Sequence, residues 1–117
     1  MQNAQKYGLL AVKVLLTLAF LAAGLAKLIG AEMMVQTFEA IGVGQWFRYV
    51  TGLIEVGCAI LLWIAGRQLL GAVLLGCTMI GATLAHLLIL GPSAVPAIVL
   101  GLLAAYVAYS HRDQSLL

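Results

Sequence analysis

Four apolar runs, each about as long as a bilayer is thick, occupy most of this chain. They cover residues 8–29, 46–64, 69–90 and 94–109. A helix needs about 20 predominantly apolar residues to cross a hydrocarbon core of about 30 Å. Because lipid offers the backbone no hydrogen-bond partners, runs of this length cross it as helices. We therefore predict an all-α fold, a bundle of four transmembrane helices, with residues 1–117 forming a single transmembrane domain.

The composition excludes a soluble domain. Of 117 residues, 64% are hydrophobic and only 9% are charged, whereas soluble domains carry about 25% charged residues. The net charge of +2 is small and scattered, so nucleic-acid binding is not expected. Cys58 and Cys77 lie within apolar runs without metal-ligand spacing, so no metal site is predicted.

The one long connection, residues 30–45, has a helical pattern of its own. Apolar Met34, Phe38 and Ile41 recur at helical spacing, and polar residues separate them. This pattern predicts a short amphipathic interfacial helix between the first and second transmembrane helices.

The basic residues predict the orientation. An even number of spans puts both termini on one side, which carries Lys6, Arg67 and Arg112, whereas the other side has only Arg48, at the start of the second run. The positive-inside rule then places both termini in the cytoplasm. The membrane expected is the cytoplasmic (inner) membrane of a bacterium.

Three ionisable side chains interrupt the apolar runs: Lys27, Glu55 and His86. On insertion scales, a charge at the bilayer centre costs about 2.5–3.5 kcal/mol. At a rise of about 1.5 Å per residue, all three fall in the outer half of the membrane. We expect them to share a ligand or proton pocket. Residues on the same helix faces, expected around this pocket, are Thr51, Cys58 and Thr83.

Each of the three also has a structural explanation. Lys27 is close enough to a helix end to extend its ammonium to the headgroups, and His86 could bond a neighbouring carbonyl. Glu55 is too deep and too short to reach the interface, and its alternative is a hydrogen bond between helices. A disulfide between Cys58 and Cys77 is disfavoured. Cys58 lies near the helix face of Glu55, and Cys77 and His86 point to opposite faces of their helix. If His86 faces Glu55, Cys77 points away from Cys58, and the two Cα atoms are too far apart for a disulfide.

Three stretches resemble DoxX-like membrane proteins. They are residues 20–30 (FLAAGLAKLIG), residues 52–62 (GLIEVGCAILL) and Ala85-His86, in this order and spacing. The resemblance covers about the whole chain and implies a four-helix membrane bundle. Relatives of this kind are linked to quinone-dependent sulfur oxidation and to membrane oxidoreductase complexes in redox defence. The resemblance supplies no catalytic mechanism, and it carries over only Lys27, Glu55 and His86 as pocket residues.

The sequence leaves three functional hypotheses. The first is a DoxX-like, redox-associated subunit that binds a quinone or another lipid-like molecule in the outer half of the membrane. The second is a small proton-coupled transporter that uses Glu55. The third is a structural or assembly subunit of a membrane complex. The expected partners are the lipid bilayer, another membrane or redox subunit, or a second copy of the chain; catalytic residues are not identified.

Overall fold

The computed structural model describes residues 3–91 and 93–116, and their regular structure is entirely helical. The helices are α1 (Asn3–Ile29), α2 (Glu32–Ile41), α3 (Gln45–Leu61), α4 (Gln68–Ala85) and α5 (Val95–Ser110). A π-helical turn, His86–Leu90, continues α4 without a break. The prediction of an all-α fold is therefore confirmed.

Two helical segments are long and apolar enough to cross a membrane, α1 and the continuous stretch Gln68–Leu90. Only 22% and 11% of their most apolar stretches are buried inside the protein, so neither is the covered core helix of a soluble fold. The apolar α5 has 16 residues and α3 has 17, close to the lower limit of about 17 for a spanning helix. Two membrane helices are thus supported, and four spans stay a prediction.

The four longer helices pack in a ring around a common apolar core. Helix α1 packs against α3, α3 against α4, α4 against α5, and α5 again against α1. Leu16, Phe20, Leu75 and Val107 fill the core with at most 1% of their surface exposed. The outside is apolar too, because large side chains there are more than half exposed: Leu18, Ile80, Leu88 and Leu102. An apolar exterior of this kind suits a lipid environment.

Along the chain, helix α2 connects α1 to α3, where the sequence predicts an amphipathic helix. Its buried residue is Phe38, whose ring meets the ring of Phe47 edge to face at 5.9 Å between centroids. Glu32, Gln36 and Glu39 lie on the exposed side. The helix and its two faces are therefore present, and its location at the membrane interface stays a prediction.

Candidate functional site

A buried ion pair joins α1 to α3. The Nζ atom of Lys27 lies 2.7 Å from Oε1 of Glu55, and the two side chains are 13% and 2% exposed. The ammonium and the carboxylate are thus in direct contact and largely shielded from solvent. Two sequence-predicted site residues are thus brought together across a helix interface.

Two glycines allow this contact by letting α1 and α3 approach closely. A Cβ atom at Gly24 would lie 3.0 Å from the carbonyl oxygen of Gly52, and one at Gly52 would lie 3.0 Å from the carbonyl oxygen of Gly24. Lys27 and Glu55 each follow their glycine by three residues, almost one helical turn. The pair therefore lies directly beside the closest approach of the two backbones.

Arg48 is a buried residue that the sequence reasoning missed as part of the site. Only 5% of it is exposed, and its Nη1 donates a hydrogen bond to the backbone carbonyl of Lys27. Its Nε donates to Oε1 of Gln45 at 2.8 Å, and Nε2 of Gln45 donates to the carbonyl of Val35 at 2.9 Å. Arg48 thus fixes the end of α1 against α2 and α3.

The sequence did contain a signal for this role. A cation near the start of one helix can donate hydrogen bonds to the unpaired carbonyls at the end of an earlier helix. Gly30, with a left-handed φ of 75°, turns the chain there, and a Cβ on it would lie 3.4 Å from Nη1 of Arg48. The sequence analysis used Arg48 only as a topology signal.

His86 is not bonded to the pair. It begins the π-helical turn, which packs against α2, and it is half-buried. Its Nδ1 atom is buried without a hydrogen-bond partner. Within residues 3–91 and 93–116, neither a hydrogen bond nor an ion pair joins His86 to Lys27 or Glu55. A pocket shared by all three residues therefore stays a prediction.

The two threonines expected around the pocket form hydrogen bonds with backbone carbonyls of their own helices. The Thr51 hydroxyl donates to the carbonyl of Phe47 at 2.9 Å, and the Thr83 hydroxyl donates to that of Met79 at 2.7 Å. Cys58 is buried and free, and Cys77 is exposed and free. These hydroxyls and thiols are thus not bonded to Lys27 or Glu55.

Two cavities lie elsewhere in the described part of the chain, and neither is lined by the ion pair. An apolar one of about 230 Å³ lies between α4 and α5, beside Thr83 and Gly101. Another of about 260 Å³ lies near the start of α1. No group of three or more potential metal ligands occurs within the described ranges. Of the two side chains of the pair, that of Lys27 is the more accessible.

The pair has two protonation states, which differ in whether one proton is on Lys27 or on Glu55. As an ion pair, each charge compensates the other, which lowers the cost of holding both away from water. With the proton on Glu55, both groups are neutral and each can form a hydrogen bond with a neutral partner. This arrangement can hold a polar group of a lipid-like molecule or pass a single proton.

Comparison with known proteins gives one match. A model of the DoxX-like family matches residues 11–108. Neither the curated proteins nor the solved structures contain a match. The matched range includes Lys27, Arg48, Glu55 and His86.

Proposed function

The chain belongs to the DoxX-like family of membrane proteins, and from this premise we propose that it binds a quinone or a similar lipid-like molecule at the Lys27–Glu55 pair. We propose further that it crosses a bacterial inner membrane four times, with both termini in the cytoplasm. Its redox role would be that of a subunit that holds the quinone while a partner subunit supplies the electrons.

One observation carries the proposal: the pair is almost excluded from solvent, yet 13% of the Lys27 side chain remains accessible. An ammonium donates up to three hydrogen bonds, so Lys27 can contact Glu55 and also a carbonyl oxygen of a quinone. Glu55 can then hold or release one proton beside that oxygen. The apolar outer surface lets the tail of such a molecule remain in lipid.

Quinone binding by the protein in nanodiscs tests the proposal. The probe is a short-chain ubiquinone titrated into wild type, Glu55→Gln and Lys27→Met, with Glu39→Gln as the matched control because Glu39 is exposed on α2. A hydrogen bond to a charged group is worth about 1.5–3 kcal/mol, so each site variant should bind about 10- to 150-fold more weakly. The control should bind as wild type does. Equal binding by all four proteins, or no binding by any, would rule the proposal out.

A small proton-coupled transporter is the second candidate, because a buried carboxylate with a single cationic partner can exchange its proton for a substrate. Proteoliposomes with a pH gradient and a panel of cationic dyes test it. Transport that Glu55→Gln abolishes, without quinone binding by wild type, would favour this candidate.

A structural role is distinguished by a double-mutant cycle. If the pair serves only to join α1 to α3, Lys27→Met and Glu55→Gln will couple in the free energy of unfolding. Neither substitution will then change quinone binding in the protein that remains folded.

A further inference from the structure

A second cluster of cations lies at the other end of the bundle, where α1 begins and α5 ends. A cavity of about 260 Å³ that is open to the surface is lined by residues of the first turns of α1, namely Lys6, Tyr7, Leu9, Leu10 and Lys13, and we refer to it as the Lys6–Lys13 cavity. Fourteen residues of α1 separate Lys13 from Lys27, about 21 Å along the helix axis. The cavity is therefore separate from the proposed quinone site and makes no use of it.

The lysines of this cavity lack acidic partners. The chain has four acidic side chains; two of them lie on α2 and a third, Glu55, pairs with Lys27. The fourth, Asp113, is exposed after α5. In the described part of the chain, no carboxylate forms an ion pair with Lys6 or Lys13. The cavity thus carries two positive charges without a carboxylate partner among residues 3–91 and 93–116.

The turn that follows α3 restrains Lys13. Its Nζ lies 5.0 Å from the ring centroid of Trp63, within the distance of a cation–π interaction. The indole N–H of Trp63 donates to the Thr17 hydroxyl at 2.7 Å, which fixes the ring. A restrained ammonium loses less side-chain entropy when a ligand binds.

His111 reports the positive field of this region. Its pKa lies below the usual range, first because the imidazole is partly buried and second because Lys13 is nearby. Its Nε2 atom is buried without a hydrogen-bond partner. A bound anion would counteract the charge of Lys13 and raise the pKa of His111.

We propose that the Lys6–Lys13 cavity binds the phosphate group of an anionic phospholipid. Lys6 and Lys13 would contact the phosphate, and the Tyr7 hydroxyl can donate a hydrogen bond to it. Leu9 and Leu10 alternate with these polar residues on a helix that is long and apolar enough to cross a membrane. Apolar side chains between the cations favour a lipid over a free phosphate ion, because the acyl chains can pack against them.

Lipid retention and histidine titration together test the proposal. The protein is placed in nanodiscs of phosphatidylcholine with or without phosphatidylglycerol, and bound lipids are counted by native mass spectrometry. The variants are Lys6→Gln and Lys13→Gln. Arg112→Gln is the matched control, because it removes one charge from the same end and Arg112 does not line the cavity. The pKa of His111 is followed by NMR in wild type and in Lys6→Gln.

We expect one phosphatidylglycerol molecule to be retained by wild type and by Arg112→Gln. Retention should fall about fivefold for each lysine removed, which corresponds to about 1 kcal/mol per basic residue near an anionic surface. Phosphatidylglycerol should raise the pKa of His111 in wild type, and it should raise that pKa less in Lys6→Gln. Lys6 is exposed, so this variant is not expected to impair folding.

Two results would overturn the proposal. Equal loss of lipid in all three variants would mean that the total charge of this end, and not the cavity, attracts the lipid. The second result comes from adding inorganic phosphate to nanodiscs of pure phosphatidylcholine. If it raises the pKa of His111 as much as phosphatidylglycerol does, the ligand is a free anion and not a lipid.

Discussion

The closest contact between α1 and α3 gives a quantitative prediction for Gly24→Ala. The added Cβ would lie 2.7 Å from Cγ2 of Val56, shorter by about 0.7 Å than the 3.4 Å at which ordinary contact begins. It would also lie 3.0 Å from the carbonyl oxygen of Gly52 and 3.2 Å from the backbone nitrogen of Val56. Backbone atoms cannot rotate away as a flexible side chain can. The two helices must therefore separate by several tenths of an ångström.

The expected cost follows from a comparison with Gly57→Ala. Gly57 lies on α3, and a Cβ added there would have no atom within 4 Å, so alanine at this position changes only the helix propensity, a gain of up to about 1 kcal/mol. Gly24→Ala has the same gain, but overpacking costs about 1–3 kcal/mol. The free energies of unfolding of the two variants should therefore differ by about 1–3 kcal/mol, with Gly24→Ala the less stable.

Reversible unfolding in mixed lipid–detergent micelles, followed by circular dichroism, measures this difference. Because Lys27 lies about one turn from Gly24, separation of the helices should also lengthen the Lys27–Glu55 contact. If Gly24→Ala proves as stable as Gly57→Ala, α1 and α3 do not approach as closely as described, and the account of how the pair is positioned is wrong.

Three further predictions concern residues away from this crossing. Arg48→Met should lower the free energy of unfolding by about 1–3 kcal/mol, because it leaves the partly buried carbonyl of Lys27 without its donor; stability equal to wild type would refute this role. Trp63→Phe keeps a ring near Lys13 but removes the 2.7 Å hydrogen bond to Thr17, so thermal unfolding should report a loss of about 0.5–1.5 kcal/mol. The lowered pKa of His111 means that this side chain binds a proton more readily in the unfolded state than in the folded state. Its contribution to the free energy of unfolding should therefore be constant above about pH 6.5 and should fall as the pH decreases from 6.5 towards the folded-state pKa. The difference between wild type and His111→Gln across that range checks the last prediction, and parallel pH profiles would contradict it.

The sequence predicted the helices and similar depths for Lys27 and Glu55, because both depend on distances along a helix axis. The apolar runs identified the long helices, and the rise per residue placed Lys27 and Glu55 at compatible depths. Helix α3 nevertheless ends at Leu61, before the apolar run does at residue 64. Hydrophobicity marks where lipid is tolerated, and it does not mark where backbone hydrogen bonding stops.

The remaining features depend on rotation about the helix axes and on local backbone geometry. The π-helical turn changes the direction of the residues from His86 onward relative to a regular α-helix, so extrapolation at 100° per residue no longer holds there. The buried position of Arg48 follows from the turn at Gly30 and from the side-chain bond to Gln45. Composition and periodicity do not encode either feature.

In the four-span arrangement that we propose, the Lys27–Glu55 pair also constrains how the chain enters the membrane during synthesis. Lys27 leaves the ribosome 28 residues before Glu55, an interval of about 1–6 s at 5–20 residues per second. Lys27 lies near the end of α1, so its long side chain can keep the ammonium among the headgroups during that interval. Glu55 lies deeper in its helix, and its short side chain arrives when the opposite charge is already in place. The order of the two charges along the chain therefore spares the nascent protein a period with an unpaired carboxylate in the hydrocarbon core.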